Sequence, residues 1–596
     1  MFTPLLQLSD FVGGINTKQR PSKIAPNELV SIIGMDFVAN SLQRAMGYSK
    51  FGTESEPTLV GKSLYTHRIL TGTDVLIKTI GTKIKFYDSV DDAWYLLTDA
   101  AFTANLRWSF ATFNSYLYGN NGTDSWIFWK GSTLTTITGA LSPGGTTIDV
   151  QTGKGALFAA SGTVMIQDEA ITYSGKTGDQ LTGCTITAAH AAGSTIVQKL
   201  DSTTYVALSK ASRISFHSNR LYMIDHDNPN IIRHSKLADN TNPETDLVNF
   251  TVAGTGAGDA GYGIAPEEVV SIQQLINGNQ TSVLMAMCKD GVAYAFVVTD
   301  SSGGTTTNAF IPMRTMNSYP AAAHMVEVCE NDVAFVDQMG HIRTLGYGDI
   351  NTPLNVSTIS KNIEPSLEAM AFADGAIKYF KRKLRVTGMT TNAATNNFTF
   401  YHDSNYNSWG AHGHLDVVDY AIYNDSLYAL STISGNVWKL EDTYEANGGT
   451  YYSEFTTKSL DANEPLVYKT ALKMRLCGFI TSNCNSYIDF FFDDSDQPIT
   501  FLVNGDDSDI IGPTPNVAVG SVVFGAGVWG GGLPSGVNRK NFYAELLLND
   551  LVPFFKLAVR VRIDDKNVDF EIQDMLLWMR KESEELWITD KTLKVN

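Results

Sequence analysis

Two histidines carry the residue type and spacing of a metal ligand pair. His412 and His414 are two residues apart, so on a β-strand both imidazoles would lie on one face and could ligate a metal ion. The tract from Trp409 to His414 is turn-like, however, and brings no carboxylate or cysteine close in sequence. We therefore expect structural or exposed histidines here, and we assign no metal ligands.

Two aspartate-rich runs offer the hard oxygen ligands that calcium prefers. They occupy residues 493–496 and 506–509, and both read Asp-Asp-Ser-Asp. Neither run has the spacing of an EF-hand loop, so we predict solvated loop tips. Calcium binding by these loops stays open at this point.

Two glycine motifs resemble nucleotide-binding loops only by letter. Gly256–Gly261 matches the dinucleotide fingerprint, but that motif needs a preceding strand and an immediate helix, whereas glycines flank this one as in a flexible loop. Gly61-Lys62-Ser63 resembles the end of a phosphate-binding loop, yet Glu56 stands where that motif requires glycine. The sequence therefore predicts no cofactor and no nucleotide hydrolysis.

No pair of carboxylates is marked as converging, which a glycosidase built on a β-fold would require. We therefore expect that the chain is not an enzyme, and we name no catalytic residues.

Arg560 and Arg562, together with Lys469 and Lys473, could form a basic stripe. Alternate positions along a strand usually give one solvated face, which is the interpretation we favour.

Composition limits the classes of partner. The 596 residues carry a formal charge of −18, so the protein as a whole should not be drawn to nucleic acid or to anionic membranes. No apolar stretch reaches the roughly 18–20 residues of a membrane span, and Met1 is not followed by a signal sequence, so we expect synthesis in the cytoplasm. The five cysteines are scattered, which favours buried thiols, with a Cys477–Cys484 disulfide as the alternative.

The elements that must position any site begin with a hairpin pattern that occurs twice. Lys85–Asp88 reaches Trp94 across a Ser-Val-Asp-Asp-Ala loop, and Phe400–Asp403 reaches Trp409 across Ser-Asn-Tyr-Asn-Ser. In both, Asp and Ser open a polar turn between an aromatic strand and a strand led by tryptophan, as in a β-hairpin with a longer loop. A recurring hairpin indicates a recurring unit.

A second repeat points to the same architecture. Asn or Asp followed by an alternating apolar strand and a polar turn recurs after Asn114, Asn219, Asn331 and Asn424, with related strands after Thr73 and Thr281. Degenerate repeats of small antiparallel sheets are typical of β-propellers. We predict a mainly β protein with a propeller of roughly six or seven blades.

The chain divides into five segments by composition and rhythm. We expect an extended amino-terminal arm over 1–60, with a short helix between Pro26 and Gly34, and the propeller over 61–445. A compact β-module at 140–200 interrupts the propeller and should project outward, and a short helix should begin at Glu364. Length alone suggests about three or four domains, or fewer if one is a large β-architecture.

Longer strands follow the propeller. They predict a β-sandwich-like domain over 446–580, followed by a tail over 581–596. A glycine-rich loop, Gly520–Gly536, surrounds Trp529 within this domain. Long loops in compact domains are often functional, so this loop is a hypothetical gate.

The amino-terminal arm resembles a known family. Phe11-Val-Gly-Gly-Ile-Asn-Thr17, Pro21–Leu29 and Leu42–Tyr48 are similar to the opening of phage tail nozzle proteins of the tail tubular protein B type, found in short-tailed phages. The inserted module, through Ile171–Gly175 and Ala189–Gly193, resembles small β-modules that recur in phage virion proteins. The arm match covers about 50 residues; beyond it only the predicted architecture agrees with the family.

The resemblance implies a structural virion protein of the phage tail. Its copies would form a hexameric ring at the distal end of the tail, below an adaptor ring, that conducts and gates genomic DNA during ejection and anchors tail fibres or spikes. An acidic channel suits fast passage of double-stranded DNA, because cationic contacts to phosphate would slow it. The alternatives are a receptor-binding or fibre-anchoring baseplate protein, which would also contact the host cell surface, and a polysaccharide-degrading propeller enzyme. The sequence identifies neither host nor receptor, nor the residues that close the channel.

Overall fold

The computed structural model describes most of the chain, and every structural statement below refers to that part. The described residues are 5–70, 72–202, 208–238, 246–251, 258–276, 282–300, 306–330, 332–346, 356–413, 415–481, 483–493, 495–504, 539–548 and 553–582. The glycine-rich loop 520–536 and the tail beyond residue 582 lie outside these ranges.

The amino-terminal segment is built from short strands. They are β1 to β6: Leu5–Leu8, Gly14–Ile15, Glu28–Ile33, Met35–Val38, Ser41–Arg44 and Tyr48–Phe51. The expected helix between Pro26 and Gly34 is wrong, because β3 occupies that stretch. The β-branched residues Val30, Ile32 and Ile33 favour a strand, and Gly34 with φ +62° forms the turn into β4 instead of ending a helix.

Seven antiparallel sheets form the blades of a β-propeller. Blade 1 contains β7–β10 (Gly61–His67, Val75–Ile80, Lys83–Asp88, Ala93–Leu96) and blade 2 contains β11–β13 (Ser109–Phe113, Tyr116–Asn120, Ile127–Lys130). The inserted module follows as β14–β20 (Thr135–Thr136, Thr147–Asp149, Gly162–Ile166, Glu169–Tyr173, Gly175–Thr177, Gln180–Thr182, Thr195–Gln198).

The remaining blades continue in chain order. Blade 3 is β21–β24 (Ala211–His217, Arg220–Asp225, Ile231–His234, Gly261–Ile264) and blade 4 is β25–β28 (Val269–Ile276, Ser282–Cys288, Val292–Asp300, Thr306–Thr315). Blade 5 is β29–β32 (Val326–Cys329, Asp332–Val336, Ile342–Gly346, Val356–Thr358). Blade 6 is β33–β36 (Met370–Phe380, Lys383–Thr390, Phe398–Asp403, Ser408–Gly413), and blade 7 is β37–β39 (Asp419–Tyr423, Ser426–Leu430, Val437–Leu440) joined by β6.

The blades close into a complete circle. The first strands of the blades, β7, β11, β21, β25, β29, β33 and β37, each contact the first strand of the next blade, and β37 contacts β7. The circle is latched because β6, from the amino-terminal segment, pairs with β39 as the fourth strand of blade 7. Seven blades therefore surround one axis, at the upper end of the expected count.

Both predicted tryptophan hairpins are confirmed. Trp94 pairs with Tyr87 across the blade 1 hairpin, and Trp409 pairs with His402 across the blade 6 hairpin. The turn chemistry is also shared, since Asp88 accepts a hydrogen bond from the Val90 amide and Asp403 accepts one from the Asn405 amide, each at 2.9 Å.

Two-residue turns explain the second repeat. The first two strands of five blades are joined by loops of two residues; in blades 2, 3, 6 and 7 both loop residues have positive φ, including Asn114 (+49°), Asn219 (+57°) and Asn424 (+46°). Turns of type I′ require this geometry and select asparagine, which is why asparagine introduces the repeated strands.

The inserted module has a core of its own and also packs on the propeller. Its two small sheets enclose buried residues that include Ile148, Val164 and Ile171. Met165 and Val197 instead join the apolar cluster of blades 1 and 2. Where the chain returns from the module, Asp201 bridges Phe128 beside the three-stranded blade 2. The module therefore lies on the rim of these two blades.

The carboxyl-terminal domain is a sandwich of two six-stranded sheets. Its own strands are β40–β46 (Ser453–Thr457, Lys469–Thr481, Asn485–Phe492, Ile499–Asn504, Arg539–Leu547, Leu557–Ile563, Phe570–Lys581). One sheet has the order β4-β5-β46-β41-β44 with β1 beside β46, and the other is β2-β3-β40-β45-β42-β43. The amino-terminal strands thus complete both sheets, so the arm docks within its own chain.

Two further expectations are refined. The helix expected to begin at Glu364 is α1 (Glu364–Glu368), and strand β33 starts at Met370 directly after it. All five cysteines are free, and Cys477 and Cys484 form no disulfide.

Candidate functional sites: the arm junction and the propeller axis

The residues that carry the family resemblance meet at a junction between propeller and sandwich. Strands β2 and β4 both contact β36, the last strand of blade 6, while β3 pairs with β40 of the sandwich. Phe11 packs edge-on against Phe455 with ring centroids 5.9 Å apart. We call this region the arm junction.

Close backbone approaches explain two of its glycines. Gly14 has φ +75°, and a Cβ there would lie 2.8 Å from the backbone N and O of Trp409. At Gly47 a Cβ would lie 2.1 Å from the carbonyl oxygen of Glu445. Because a side chain fits at neither position, the arm can lie directly against blade 6 and against the segment that follows blade 7.

Asn16 and Glu28 tie the arm to the propeller. The buried Asn16 amide donates to Glu28 Oε2 at 3.0 Å, and Asn362, which precedes α1, donates to Glu28 Oε1 at 3.1 Å. The Thr17 amide donates to the Asn362 carbonyl at 2.8 Å. These bonds join the arm to the chain between blades 5 and 6.

Arg44 is buried and fully bonded at the junction. It is 1% exposed. Its Nη1 donates to the Val568 carbonyl at 2.8 Å and its Nη2 to the Asp565 carbonyl at 2.6 Å and to the Tyr451 carbonyl. Nε donates to Ser453 Oγ at 3.3 Å. One guanidinium thus crosslinks three segments, a structural use of buried charge.

His412 belongs to the same junction. Its Nε2 lies 3.0 Å from Asp36 Oδ1, which also pairs with Lys383 Nζ at 2.7 Å. Burial alone would raise the pKa of Asp36, but the Lys383 charge and the His412 hydrogen bond hold it well below the usual range. His412 is therefore a structural histidine, as expected, while His414 lies outside the described residues.

A small cavity lies beside this ion pair. It measures about 230 Å³ and its lining includes Arg385, Glu441 and Tyr451. Arg385 pairs with Glu441, while its Nε and Nη1 have no protein partner. The charges balance here, since Lys383 and Arg385 face Asp36 and Glu441, and the cavity has room for water.

The axis of the propeller gathers charged side chains from six blades. They lie on or beside first strands and are far apart in sequence: Lys62, Arg107, Arg213, His324, Glu327, Asp374, Lys378 and Asp419. We call this set the axial cluster. Sequence inspection missed it because no two of its members form a motif; the available signal is a charged residue recurring near the start of a first strand.

Three ion pairs organise the axial cluster. Lys378 Nζ lies 2.8 Å from Glu327 Oε1, Lys62 Nζ lies 3.5 Å from Asp374 Oδ2, and Arg107 Nη1 lies 3.9 Å from Asp419 Oδ1. Arg107 Nη2 also donates to the Val418 carbonyl at 2.7 Å. Burial raises the pKa of Asp419 in spite of the Arg107 charge.

Three nitrogens of the axial cluster are buried without a hydrogen-bond partner in the described structure: Arg107 Nε, Arg213 Nε and His324 Nε2. Burial, followed by the charges of Arg107 and Arg213, holds the pKa of His324 well below its usual range. The axial cluster holds four basic side chains against three carboxylates, so positive charge is in excess around neutral His324.

The predicted basic stripe is internally neutralised. Arg560 Nη2 lies 2.7 Å and Arg562 Nε 2.9 Å from Oδ2 of Asp489, whose side chain is fully buried. Lys469 donates to three backbone carbonyls, those of Glu464, Val467 and Phe555. Lys473 lies over the Trp578 ring, 4.8 Å from its centroid. Arg560 and Arg562 thus share one part-exposed face of β45, as favoured, whereas Lys469 is buried in the other sheet.

The other motifs form no ligand site in the described structure. Gly61–Ser63 opens strand β7, and Asp493 Oδ1 accepts hydrogen bonds from the Phe555 and Lys556 amides. Residues 256, 257, 494 and 506–509 lie outside the described ranges. Within those ranges, no group of three or more His, Cys, Asp or Glu side chains is placed to hold a metal ion.

Comparison with known proteins adds little beyond the fold. No known protein family matches the chain, and no curated protein matches it by sequence. Among solved structures, similarity is found to YCF48 from Cyanidioschyzon merolae, at 9% identity and a TM-score of 0.32, over 66% of this chain and 98% of that one. The Cps50 (Swd1) β-propeller domain of Myceliophteria thermophila gives 8% identity and a TM-score of 0.35, over 66% and 99%.

An exo-β-1,3-galactanase from Phanerochaete chrysosporium is also similar, at 9% identity and a TM-score of 0.23, over 61% of this chain and 94% of that one. At such identities and scores these similarities carry no functional argument. The chain is a β-propeller protein on the evidence of its seven closed sheets. Among the described residues, no helix has the length and hydrophobicity to span a membrane.

Proposed function

We propose that this chain is a structural protein of a phage tail, of the nozzle type, whose copies form a hexameric ring that conducts and gates genomic DNA. In the virion it would contact a tail adaptor protein on one side and fibres or spikes on another. The carrying observation is that the arm residues resembling nozzle proteins lie at the junction: Gly14 and Gly47 allow close backbone contacts, and Asn16 bonds Glu28, which Asn362 also bonds.

This observation gives the resemblance a physical reason. Gly14 and Gly47 admit no side chain, and Asn16 has a specific partner in Glu28, so the pattern reflects a required geometry. A chain that shares the pattern is therefore expected to share the junction. The charge of −18 adds support, because a conduit for DNA should not bind the phosphate backbone.

The proposal is tested by the mass of the purified protein across a concentration series, with negative-stain images of the assemblies. Closed six-fold rings with a central hole are expected, since heterologous contacts that complete a rotation form rings. Trimers would instead favour a fibre protein. A chain that stays monomeric at every concentration, and also in the presence of an adaptor ring, would contradict the nozzle function.

A second candidate is a receptor-binding or fibre-anchoring protein. The inserted module favours it, because this module has its own apolar core and lies on the rim of blades 1 and 2. Deleting residues 135–198 distinguishes the two functions. A nozzle should still form rings without the module, whereas a receptor-binding protein should lose its attachment to cells.

A further inference from the structure

One end of the propeller axis opens into a cup. It has a volume of about 730 Å³ and is lined by residues of blades 1, 2, 6 and 7 and by the first turn of blade 3. Its polar lining includes Tyr65, Arg68, Thr112, Asn114, Asn219 and Lys378. A concave site with a few converging polar groups is the usual form of a small-molecule site.

The charges of the cup have one sign. Arg68 and Lys378 are its charged groups, and none of the described residues that line it is a carboxylate. Lys378 is paired with Glu327 at 2.8 Å, outside the lining, so Arg68 supplies the free charge at the rim. The cup is therefore locally positive in a chain whose net charge is −18.

The cup leads towards the axial cluster. Tyr65 donates to Thr112 Oγ1 at 3.1 Å, and its ring lies in the cup wall. Burial raises the pKa of Tyr65, opposed by the charges of both Arg68 and Arg213. Arg213 does not line the cup, but it lies on β21, the strand that ends at the Asn219 turn in the cup wall, and is therefore further along the axis.

Two buried guanidinium nitrogens of the axial cluster have no acceptor. Arg213 Nε and Arg107 Nε are both buried without a partner in the described structure. A buried donor without an acceptor is costly, and for a charged group the cost is larger. An oxygen-rich anion would supply acceptors and offset the excess positive charge together.

We propose that the propeller axis binds a small oxyanion group (carboxylate, sulfate or phosphate) that accepts hydrogen bonds from Arg213 and is drawn in by Arg68 and Lys378. Arg213 would bond its oxygens at the inner end. The hydroxyl groups of Tyr65 and Thr112 and the amides of Asn114 and Asn219 would face any hydroxylated remainder of the ligand. The site serves one chain and does not depend on ring formation.

The test is isothermal titration of the full chain with three probes: inorganic phosphate, sodium sulfate and sodium D-glucuronate, each against chloride of equal ionic strength. Saturable binding of at least one probe is expected. A preference for glucuronate would identify an acidic sugar, whereas equal binding of phosphate and sulfate would identify a free inorganic ion. If none of the three binds at millimolar concentration, water alone fills the axis and the proposal is overturned.

Variants assign the binding to the axis. Arg213→Gln should weaken binding about tenfold or more, because it removes a charged donor. Arg68→Gln, on an exposed rim residue, tests the site if Arg213→Gln fails to fold, and should weaken binding severalfold. Arg20→Gln removes an equal charge from an exposed position in the arm and should leave affinity unchanged. Equal affinity in the wild type and both axial variants would overturn the proposal.

Discussion

Arg44 is a buried arginine and Arg213 is a part-buried one, and their surroundings differ. Arg44 at the arm junction donates from all three nitrogens to protein oxygens of two other segments, one at Ser453 and one at Asp565 and Val568. Arg213 at the axis has a buried Nε without a partner and shares its surroundings with Arg107 and Asp419. A charged side chain can therefore crosslink the fold in one place and keep a nitrogen without a protein partner in another.

The largest expected effect is at the junction. Arg44→Met should lower the free energy of unfolding by about 3–5 kcal/mol, because three backbone carbonyls lose a charged donor inside the protein. Denaturant titration followed by tryptophan fluorescence measures the change. Arg20→Met, at an exposed position, is the control and should shift stability by no more than about 0.5 kcal/mol.

The next effect tests the close approach at Gly14. Gly14→Ala should cost about 1–3 kcal/mol, since alanine is strained at φ +75° and its Cβ would meet the Trp409 backbone. Thermal unfolding is the readout. Gly139→Ala is the matched control, because no atom lies within 4 Å of a Cβ placed there. Equal behaviour of the two variants would mean that the arm does not pack on blade 6 as described.

The stability of the propeller should depend on pH through one buried histidine, His67. Burial lowers the pKa of His67 in blade 1 from 6.5 to about 4. The unfolded chain therefore binds a proton that the folded chain does not, so stability is full above pH 6.5 and is lost as the pH falls towards 4.

Between pH 7 and pH 5 this one histidine should cost about 1–2 kcal/mol. His67→Gln should flatten the slope of stability against pH, while His226→Gln, which removes an exposed imidazole in blade 3, should keep the wild-type slope. A slope that is unchanged in His67→Gln would show that His67 is not buried in its neutral form.

The smallest stability effect is expected at the axis. Arg213→Gln should change the free energy of unfolding by less than about 1 kcal/mol, because Arg213 satisfies few protein acceptors. Denaturant titration of this variant beside Arg44→Met measures the contrast. A loss as large as that of Arg44→Met would mean that Arg213 is a structural residue.

Local chemistry made parts of the fold predictable. The two tryptophan hairpins were recognisable because an aspartate that bonds the amide two residues later fixes the turn, as at Asp88 and Asp403. The repeated strands were recognisable because two-residue turns with positive φ select asparagine. Both signals lie within a few residues of the strands that they join.

Other features depend on contacts between distant parts of the chain. The blade count stayed open because β6 completes blade 7 from far upstream, and Asp201 reaches blade 2 only after the module. The stretch from Pro26 to Gly34 has a proline where a helix could begin and a glycine where it could end. It is a strand because β3 pairs with β40, which is far away in the sequence. Strand partners that are this distant in the sequence produce no local sequence pattern from which they could be predicted.

The axial cluster was hidden for the same reason. Arg107, Arg213 and Lys378 are separated by a hundred or more residues, and only closure of the propeller brings them near one axis. The nozzle proposal, in contrast, started from contiguous residues of the arm. Contiguous motifs are visible in one sequence, while a site assembled from several blades becomes visible only in the folded chain.

The most direct test of the contrast between junction and axis is the denaturation midpoint of wild type, Arg44→Met and Arg213→Gln as a function of anion concentration. The anion is whichever of phosphate, sulfate and glucuronate binds most tightly in the titration. A ligand that binds the folded state raises stability by mass action. We predict that this anion raises the midpoints of wild type and Arg44→Met by equal increments and raises that of Arg213→Gln much less. Equal increments in all three proteins, or none in any, would contradict the assignment of Arg213 to a binding site.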